Sequence, residues 1–282
     1  MGWLAPRQST LEVTLILYAN GCSMTYGMEL CDDAETGACT DDAYREAHAW
    51  PGRLAGFLGA DEVVNDAVIS GSNDRILRTT IQWVLTNIHR LASQPVLVAI
   101  GWSGAMRREF YVDAAYRQVI PYQPHPHADT ERLLAVYRDV AWHERECGER
   151  LLTQIVALQS FLAAHRIPFL FFDAIEGSFD AIGRAGLADS PTVRSIDRRR
   201  YFGFGEEHAS MAATLERTEL PWCGRHPSPE GHDHWAQKLA VAIIENDAIK
   251  PSSGPLGPPG DTLPTVRPSR TFTEPRTDFI YD

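Results

Sequence analysis

Four short apolar runs constrain this chain most: residues 11–18 (LEVTLILY), 62–68 (EVVNDAV), 95–101 (PVLVAIG) and 167–172 (IPFLFF). Each has strand length and carries β-branched or aromatic side chains, the pattern of strands covered on both faces. Helical patterns separate them, over residues 50–58, 73–91 and about 129 to 165. A last amphipathic stretch over 229–246 opens on Pro229, a common first-turn residue. Strands that alternate with helices predict parallel βαβ units in one doubly wound sheet, hence a three-layer α/β/α class of fold.

Two stretches, residues 111–130 and 177–219, fit that plan less well, being rich in charge and in turn residues. They are expected as insertions over the carboxyl ends of the strands, where open α/β sheets bind ligands. After Lys250 the chain turns Pro/Gly/Ser-rich (PSSGPLGPPGDTLPTVRPS), a composition that builds no core. The expected organisation is one α/β domain over 1–249 and an extended tail over 250–282. Apolar Phe279, Ile280 and Tyr281 could dock the end of that tail, including onto a neighbouring subunit.

Composition narrows the function classes. A formal net charge of −11 argues against a nucleic-acid partner, which demands a basic face. The five cysteines, Cys22, Cys31, Cys39, Cys147 and Cys223, are odd in number and form no CxxC pair. Neither a disulfide framework nor a zinc knuckle is expected from them. Cys31 and Cys39 bracket an acidic loop and could pair in an oxidising compartment; they are read as free thiols of a cytosolic protein. No basic segment followed by an apolar run and a cleavage site opens the chain, and the apolar stretch over 13–18 is too short to span a bilayer. Pro6 stands where a myristoylation signal needs Ser or Thr. The expectation is a cytoplasmic protein with no membrane partner.

Two places carry residues suited to chemistry. The first predicted strand runs into Asn20-Gly21-Cys22-Ser23, which sets Ser23 just beyond a strand's carboxyl end, after a glycine that permits a sharp turn. Near the other end, His226 lies in a loop ahead of the last amphipathic helix, from which it could turn back and accept a proton from a serine hydroxyl. Either residue by itself also fits a plain structural role, Ser23 as a helix N-cap and His226 as a surface histidine.

Taken together, the two places resemble the SGNH (GDSL-like) hydrolases, named for Ser, Gly, Asn and His in four sequence blocks. Gly21-Cys22-Ser23 is similar to the GDS block, with Cys22 in place of Asp. Asn65 through Gly71-Ser72-Asn73 resembles the second block, and His226-Pro227 with Gly231-His232 resembles the last. Trp50-Pro51 followed by Leu54-Ala55 is similar to the first helix of many members. The likeness covers roughly residues 12–110 and 220–245, in the family's order. It implies a flavodoxin-like, SGNH-type three-layer fold and a serine hydrolase cleaving an ester of an acylated small molecule or sugar. Ser23 is then the nucleophile and His226 the base, Gly71 lends a backbone N–H to the oxyanion hole, and no cofactor or metal is required.

The sequence departs from the family twice. The third block usually reads GxND, but Gly101-Trp102-Ser103-Gly104 puts Ser103 at the Asn position, with Asn73 as an alternative oxyanion donor. Losing one such donor typically costs about 2.7–4 kcal/mol of transition-state stabilisation. The last block usually reads DxxH, but Cys223 stands three before His226, leaving Glu219, Asp233 or a backbone carbonyl to orient the imidazole, or a dyad without an orienting group. Arg107 and Arg108 after the third strand could clamp an anionic substrate group, and Arg75 and Arg78 carry the same ambiguity. His125 and His127 look metal-like but lack a nearby carboxylate or cysteine set. Three other readings stay open: an acyltransferase using the same acyl-Ser23, a non-catalytic binding protein on an eroded site, and an α/β-hydrolase with Ser103 as nucleophile, Asp173 as acid and His226 as base.

Overall fold

The computed structural model describes residues 15–33, 36 and 38–249. β1 (Ile16–Asn20) runs into a four-residue helix, α1 (Ser23–Tyr26), and α2 (Asp42–His48) and α3 (Trp50–Leu58) precede β2 (Glu62–Asn65). α4 (Asn73–Thr86) and the short α5 (Ile88–Leu91) lead to β3 (Val96–Trp102). A hairpin of β4 (Arg108–Val112) and β5 (Ala115–Val119) follows, then α6 (Ala128–Val136), a π-helical turn over Tyr137–Ala141 and α7 (Glu144–Ala164). After β6 (Phe169–Asp173) come α8 (Ser178–Arg184), α9 (Pro191–Arg194) and α10 (Met211–Glu216). A small hairpin of β7 (Trp222–Cys223) and β8 (His226–Pro227) enters α11 (Pro229–Glu245).

The main sheet has the order β2-β1-β3-β6, and its three pairings are all parallel. The register sets Asn20 beside Ile100 and Trp102 beside Asp173, so β1, β3 and β6 open their carboxyl ends along one edge. Side chains alternate between two cores. Ile16, Tyr18, Val98, Ile100 and Phe171 pack with Ile76 of α4 and with Leu151, Ile155 and Leu158 of α7. Leu17, Ala19, Leu97, Leu170 and Phe172 pack with Leu54 of α3 and with Trp235, Leu239 and Ile243 of α11. Helices therefore cover both faces, giving the three-layer α/β/α fold, and this is why the strands read as unbroken apolar runs. Parallel strands joined by helical crossovers leave the carboxyl edge as the place where loops gather.

The elements differ in detail from the sequence pattern. The expected first strand begins among residues outside the described ones, and its described part reaches two residues further, to Asn20. β2 stops at Asn65, and beyond it the chain turns so that the Gly71 N–H donates to the Val68 carbonyl. The helix expected over 73–91 divides at Asn87, whose side-chain amide donates back to the Trp83 carbonyl. That over 129–165 divides near Trp142, which adopts an extended conformation, and restarts with His143 capping the Arg145 N–H. The stretch expected as an insertion over 111–130 holds most of a hairpin that already begins at Arg108, then a loop and the first turn of α6. Residues 177–219 hold α8 to α10, and Tyr201 adds one parallel bridge beside Phe171 at the sheet edge. The tail expected over 250–282 lies outside the described residues. Among the described residues, no helix is long and apolar enough to cross a membrane.

Candidate functional site

The turn after β1 is held from beneath by a buried polar plug. The Asn20 side-chain oxygen accepts the Gly21 N–H at 2.8 Å, while its amide donates to Thr79 Oγ1 at 2.8 Å, Tyr18 Oη at 3.0 Å and Thr80 Oγ1 at 3.1 Å. The Tyr18 hydroxyl donates in turn to Asp66 at 2.8 Å, and Arg75 pairs with the other oxygen of that carboxylate at 3.1 Å. Burial pushes the Tyr18 phenol well up, so it remains a donor. Every polar atom in such a plug needs a partner, which makes its geometry rigid. The turn it supports presents Ser23 as the first residue of α1, 6% exposed at the carboxyl edge of the sheet. The Asn65 amide, at the end of β2, donates to the Thr25 carbonyl and holds α1 from the side.

His226 comes from the opposite end of the chain. Cys223 and His226 face each other across the β7–β8 hairpin, joined by a two-residue turn in which Gly224 takes φ +63°. His226 Nε2 lies 2.9 Å from Ser23 Oγ. On the other side of the ring, Nδ1 lies 3.2 Å from Glu29 Oε2, off the line of an ideal hydrogen bond. That same oxygen accepts the backbone N–H groups of Arg225 at 2.7 Å and His226 at 3.0 Å. Burial holds the imidazole below its ordinary value, against the nearby Glu29 carboxylate, which favours the charged form. A neutral ring in contact with a serine hydroxyl can take its proton.

Neither acid expected from the sequence, Glu219 or Asp233, fills the orienting place: among the described residues the His226 ring meets Ser23 and Glu29 and makes no hydrogen bond or ion pair with Glu219. Cys223 has its thiol pushed up by burial and by the Glu29 and Glu230 charges, so it stays neutral. Asp233 is instead bound to Arg53 on α3. Glu29, from the loop behind the nucleophile, is the carboxylate that reaches His226, and no motif or spacing in the sequence points to it.

The other wall of the site is built from the turn before α4 and the end of β3. Gly71 packs so closely on the Ser23 turn that a Cβ there would fall 2.6 Å from the Gly21 carbonyl oxygen and 3.3 Å from Cys22 Cα. Its N–H already donates to the Val68 carbonyl at 3.1 Å, so it could only be shared with an incoming oxyanion. The Asn73 side chain is also engaged: its oxygen accepts the Ser103 N–H at 2.8 Å and its amide donates to the Ser103 carbonyl at 2.9 Å. Asn73 thus clamps the Ser103 backbone with its oxygen and one of its two amide N–H groups. Ser103 itself is 2% exposed, and its hydroxyl has no partner among the described residues.

The arginines separate by their partners. Arg108 pairs with Glu146 at 2.8 Å and approaches Asp74 at 3.8 Å, so the charge expected to meet substrate is already met, which corrects that expectation. Arg78 forks onto Glu109 and Arg75 onto Asp66. Among the described residues Arg107 has no ion pair and its Nη1 is buried without a partner, and its charge is close enough to lower the His226 value. Asp173 lies next to Trp102 in the sheet but is buried and bound to Ser178 and to the Tyr201 hydroxyl, at 2.7 Å for the latter. The constellation expected for a Ser103 nucleophile is therefore not assembled: His226 meets Ser23, and Asp173 faces elsewhere. His127 meets Asp113 at 3.2 Å and caps the first turn of α6, while the His125 ring accepts the His127 N–H. Cys31 and Cys39 are free thiols with Sγ atoms 2.7 Å apart.

No curated protein matches the chain. Among solved structures it is similar to a carbohydrate esterase whose active site displays divergent catalytic and non-catalytic binding functions, at a TM-score of 0.47 and 13% identity over 84% of this chain and 66% of that one. It is also similar to an acetyl xylan esterase from the rumen bacterium Butyrivibrio proteoclasticus, at a TM-score of 0.46 and 12% identity over 82% of this chain and 64% of that one. A third is a member of the lipolytic protein G-D-S-L family from Veillonella parvula DSM 2008, at a TM-score of 0.40 and 12% identity over 82% of this chain and 97% of that one. Residues 28–256 match a family of unknown function, DUF6071, and the chain belongs to that family.

Proposed function

We propose that this protein is a serine hydrolase of SGNH type that cleaves an ester through an acyl-Ser23 intermediate. One observation carries the reading: His226 Nε2 sits 2.9 Å from Ser23 Oγ, although 203 positions separate the two residues in the chain. His226 takes the hydroxyl proton as Ser23 Oγ bonds to the ester carbonyl carbon. The oxygen that becomes negative is met by the Ser23 N–H and the Ser103 hydroxyl, with the Gly71 N–H shared from its turn. The imidazolium then protonates the departing alcohol as the ester C–O bond breaks. Water, giving a proton to His226, adds to the acyl carbon, and collapse of that adduct releases the acid and returns the proton to Ser23.

Arg107 supports a finer statement about substrate. Its guanidinium, near enough to act on His226 and without an ion pair among the described residues, suits a carboxylate or phosphate carried near the scissile bond. The test of the main reading is labelling with a serine-directed fluorophosphonate, together with hydrolysis of small esters of graded acyl length. Wild type should be labelled and active, and Ser23→Ala should lose the label and roughly 10⁴-fold or more of the rate. Labelling that persists in Ser23→Ala, or that moves only in Ser103→Ala, would overturn the assignment.

A further inference from the structure

We propose that Glu29 is the positioning carboxylate of His226, supplied from the loop behind the nucleophile helix instead of from the chain just before the histidine. The inference rests on the Ser23–His226 reading above and deepens it. Its first support is contact: Glu29 Oε2 lies 3.2 Å from Nδ1, the ring nitrogen remote from Ser23. A carboxylate there favours the tautomer with the proton on Nδ1, which leaves Nε2 free to accept from the serine and steadies the imidazolium once it forms. The approach is off the donor line, and a small turn of the ring would align it, as catalytic hydrogen bonds often tighten only in the transition-state complex.

The second support is that four separate features are arranged to hold this one side chain. Glu29 takes φ +68°, a left-handed conformation that costs a residue with a Cβ and persists only where the surroundings impose it. Its backbone N–H donates to Asp32 Oδ2 at 3.0 Å, closing the local turn. Across from it, Gly224 leaves the room: a Cβ at that position would fall 2.7 Å from Glu29 Oε2 and 3.1 Å from Cδ. The N–H groups of Arg225 and His226 then seat the carboxylate oxygen, so the hairpin that carries the base is also bound to the acid. A surface glutamate with no task would need none of these.

The charged and titratable groups around the ring are Glu29 and Asp32 on the negative side, Arg107 on the positive side, and buried His232. Cys223, opposite His226 in the hairpin, is a neutral thiol. Removing the Glu29 charge should therefore shift the imidazole titration toward lower pH, because the form it stabilises is the protonated one.

The test compares Glu29→Gln with wild type by two readouts: NMR titration of the His226 ring, and kcat with its pH profile on a small ester. Glutamine keeps an oxygen to accept the Arg225 and His226 N–H groups, so the hairpin should stay in place. The expected results are a lower His226 pKa, a kcat reduced roughly 10²-fold at little change in KM, and partial recovery in Glu29→Asp. Gly224→Ala, which pushes the carboxylate aside, should lower kcat in the same way. An unmoved His226 titration overturns the proposal, as does a full kcat in Glu29→Gln. If the titration shifts but wild type cleaves no ester and takes no fluorophosphonate, the Glu29–His226 pairing stands and the hydrolase reading fails.

Discussion

A buried hydroxyl without a partner costs about 1–3 kcal/mol, and a guanidinium nitrogen in the same position costs more. Among the described residues Ser103 Oγ and Arg107 Nη1 are both in that state at the carboxyl edge, within one loop after β3. On the hydrolase reading proposed above, their partners arrive with the substrate, an oxyanion at Ser103 and an anionic substituent at Arg107. Asn73 holds both backbone groups of Ser103, accepting its N–H and donating one amide N–H to its carbonyl, and so fixes where that residue stands. The arginine makes the sharper prediction because the protein's net charge of −11 would otherwise repel an anion. Arg107→Ala should raise KM for an anionic ester by about tenfold, the worth of one charge-assisted contact, and barely change it for a neutral ester of the same size. Added salt should narrow the wild-type preference, since screening acts over about 8–10 Å near physiological ionic strength. Steady-state rates on the matched pair decide it, and Arg108→Ala, whose charge is already paired, should leave both substrates alone.

Between elements, the telling contact joins α11 to α3. Ala49, the residue before α3, offers no side-chain cap, and the Trp50 N–H is met instead by His232 Nδ1 from α11 at 3.1 Å. To accept that bond the ring must be neutral, and burial, helped by nearby His226, holds His232 down to about 3. The unfolded chain returns it to its ordinary value of 6.5. Its contribution to stability is therefore full above about pH 6.5 and is lost progressively as pH falls toward 3, by about 1.4 kcal/mol per pH unit. Asp173 works in the opposite sense, since burial holds its carboxyl up to about 6, so its contribution is present at low pH and fades as pH rises from 3.8 toward 6. The difference between wild type and His232→Gln isolates the histidine. Thermal melting between pH 4 and 7 should show wild type losing stability on acidification more steeply than the variant; parallel curves would place a charged ring in the interior.

At the scale of the whole molecule, the sheet is the shared wall of two cores, and aromatic side chains fill the one beneath α3 and α11. Phe172 lies edge-on to Trp50 at 5.2 Å and to Trp235 at 5.3 Å between ring centres, and all three are fully buried. Truncating such a residue leaves a cavity that rigid neighbours cannot close, at a cost of about 3–5 kcal/mol. Phe172→Ala should lower the unfolding free energy by that amount, read as a lower urea midpoint with little change in m, whereas Ser23→Ala should leave the midpoint in place. Equal midpoints for wild type and Phe172→Ala would show that this core closes around the loss.

The apolar runs by themselves determined the layers of this fold. A strand buried on both faces has to be apolar throughout, and a helix laid on a sheet has to repeat its apolar residues every three or four positions, so both signals are local and survive in one dimension. The places of Ser23 and His226 were legible for the same reason, as residues adjoining the end of a strand and the start of a helix. Where one helical pattern became two, at Asn87 and at Trp142, the cause was a local side-chain bond or backbone turn that periodicity does not register. Other decisions belonged to tertiary structure alone. Which serine meets His226, that Arg108 pairs with Glu146, and that Asn73 holds Ser103 depend on distances between residues far apart in the chain. Glu29 is the plainest case: it lies 197 positions from His226, and its approach needs a left-handed residue on one loop and a glycine on another. Neither condition leaves a periodic trace, because each is satisfied only when the two loops meet across the folded sheet.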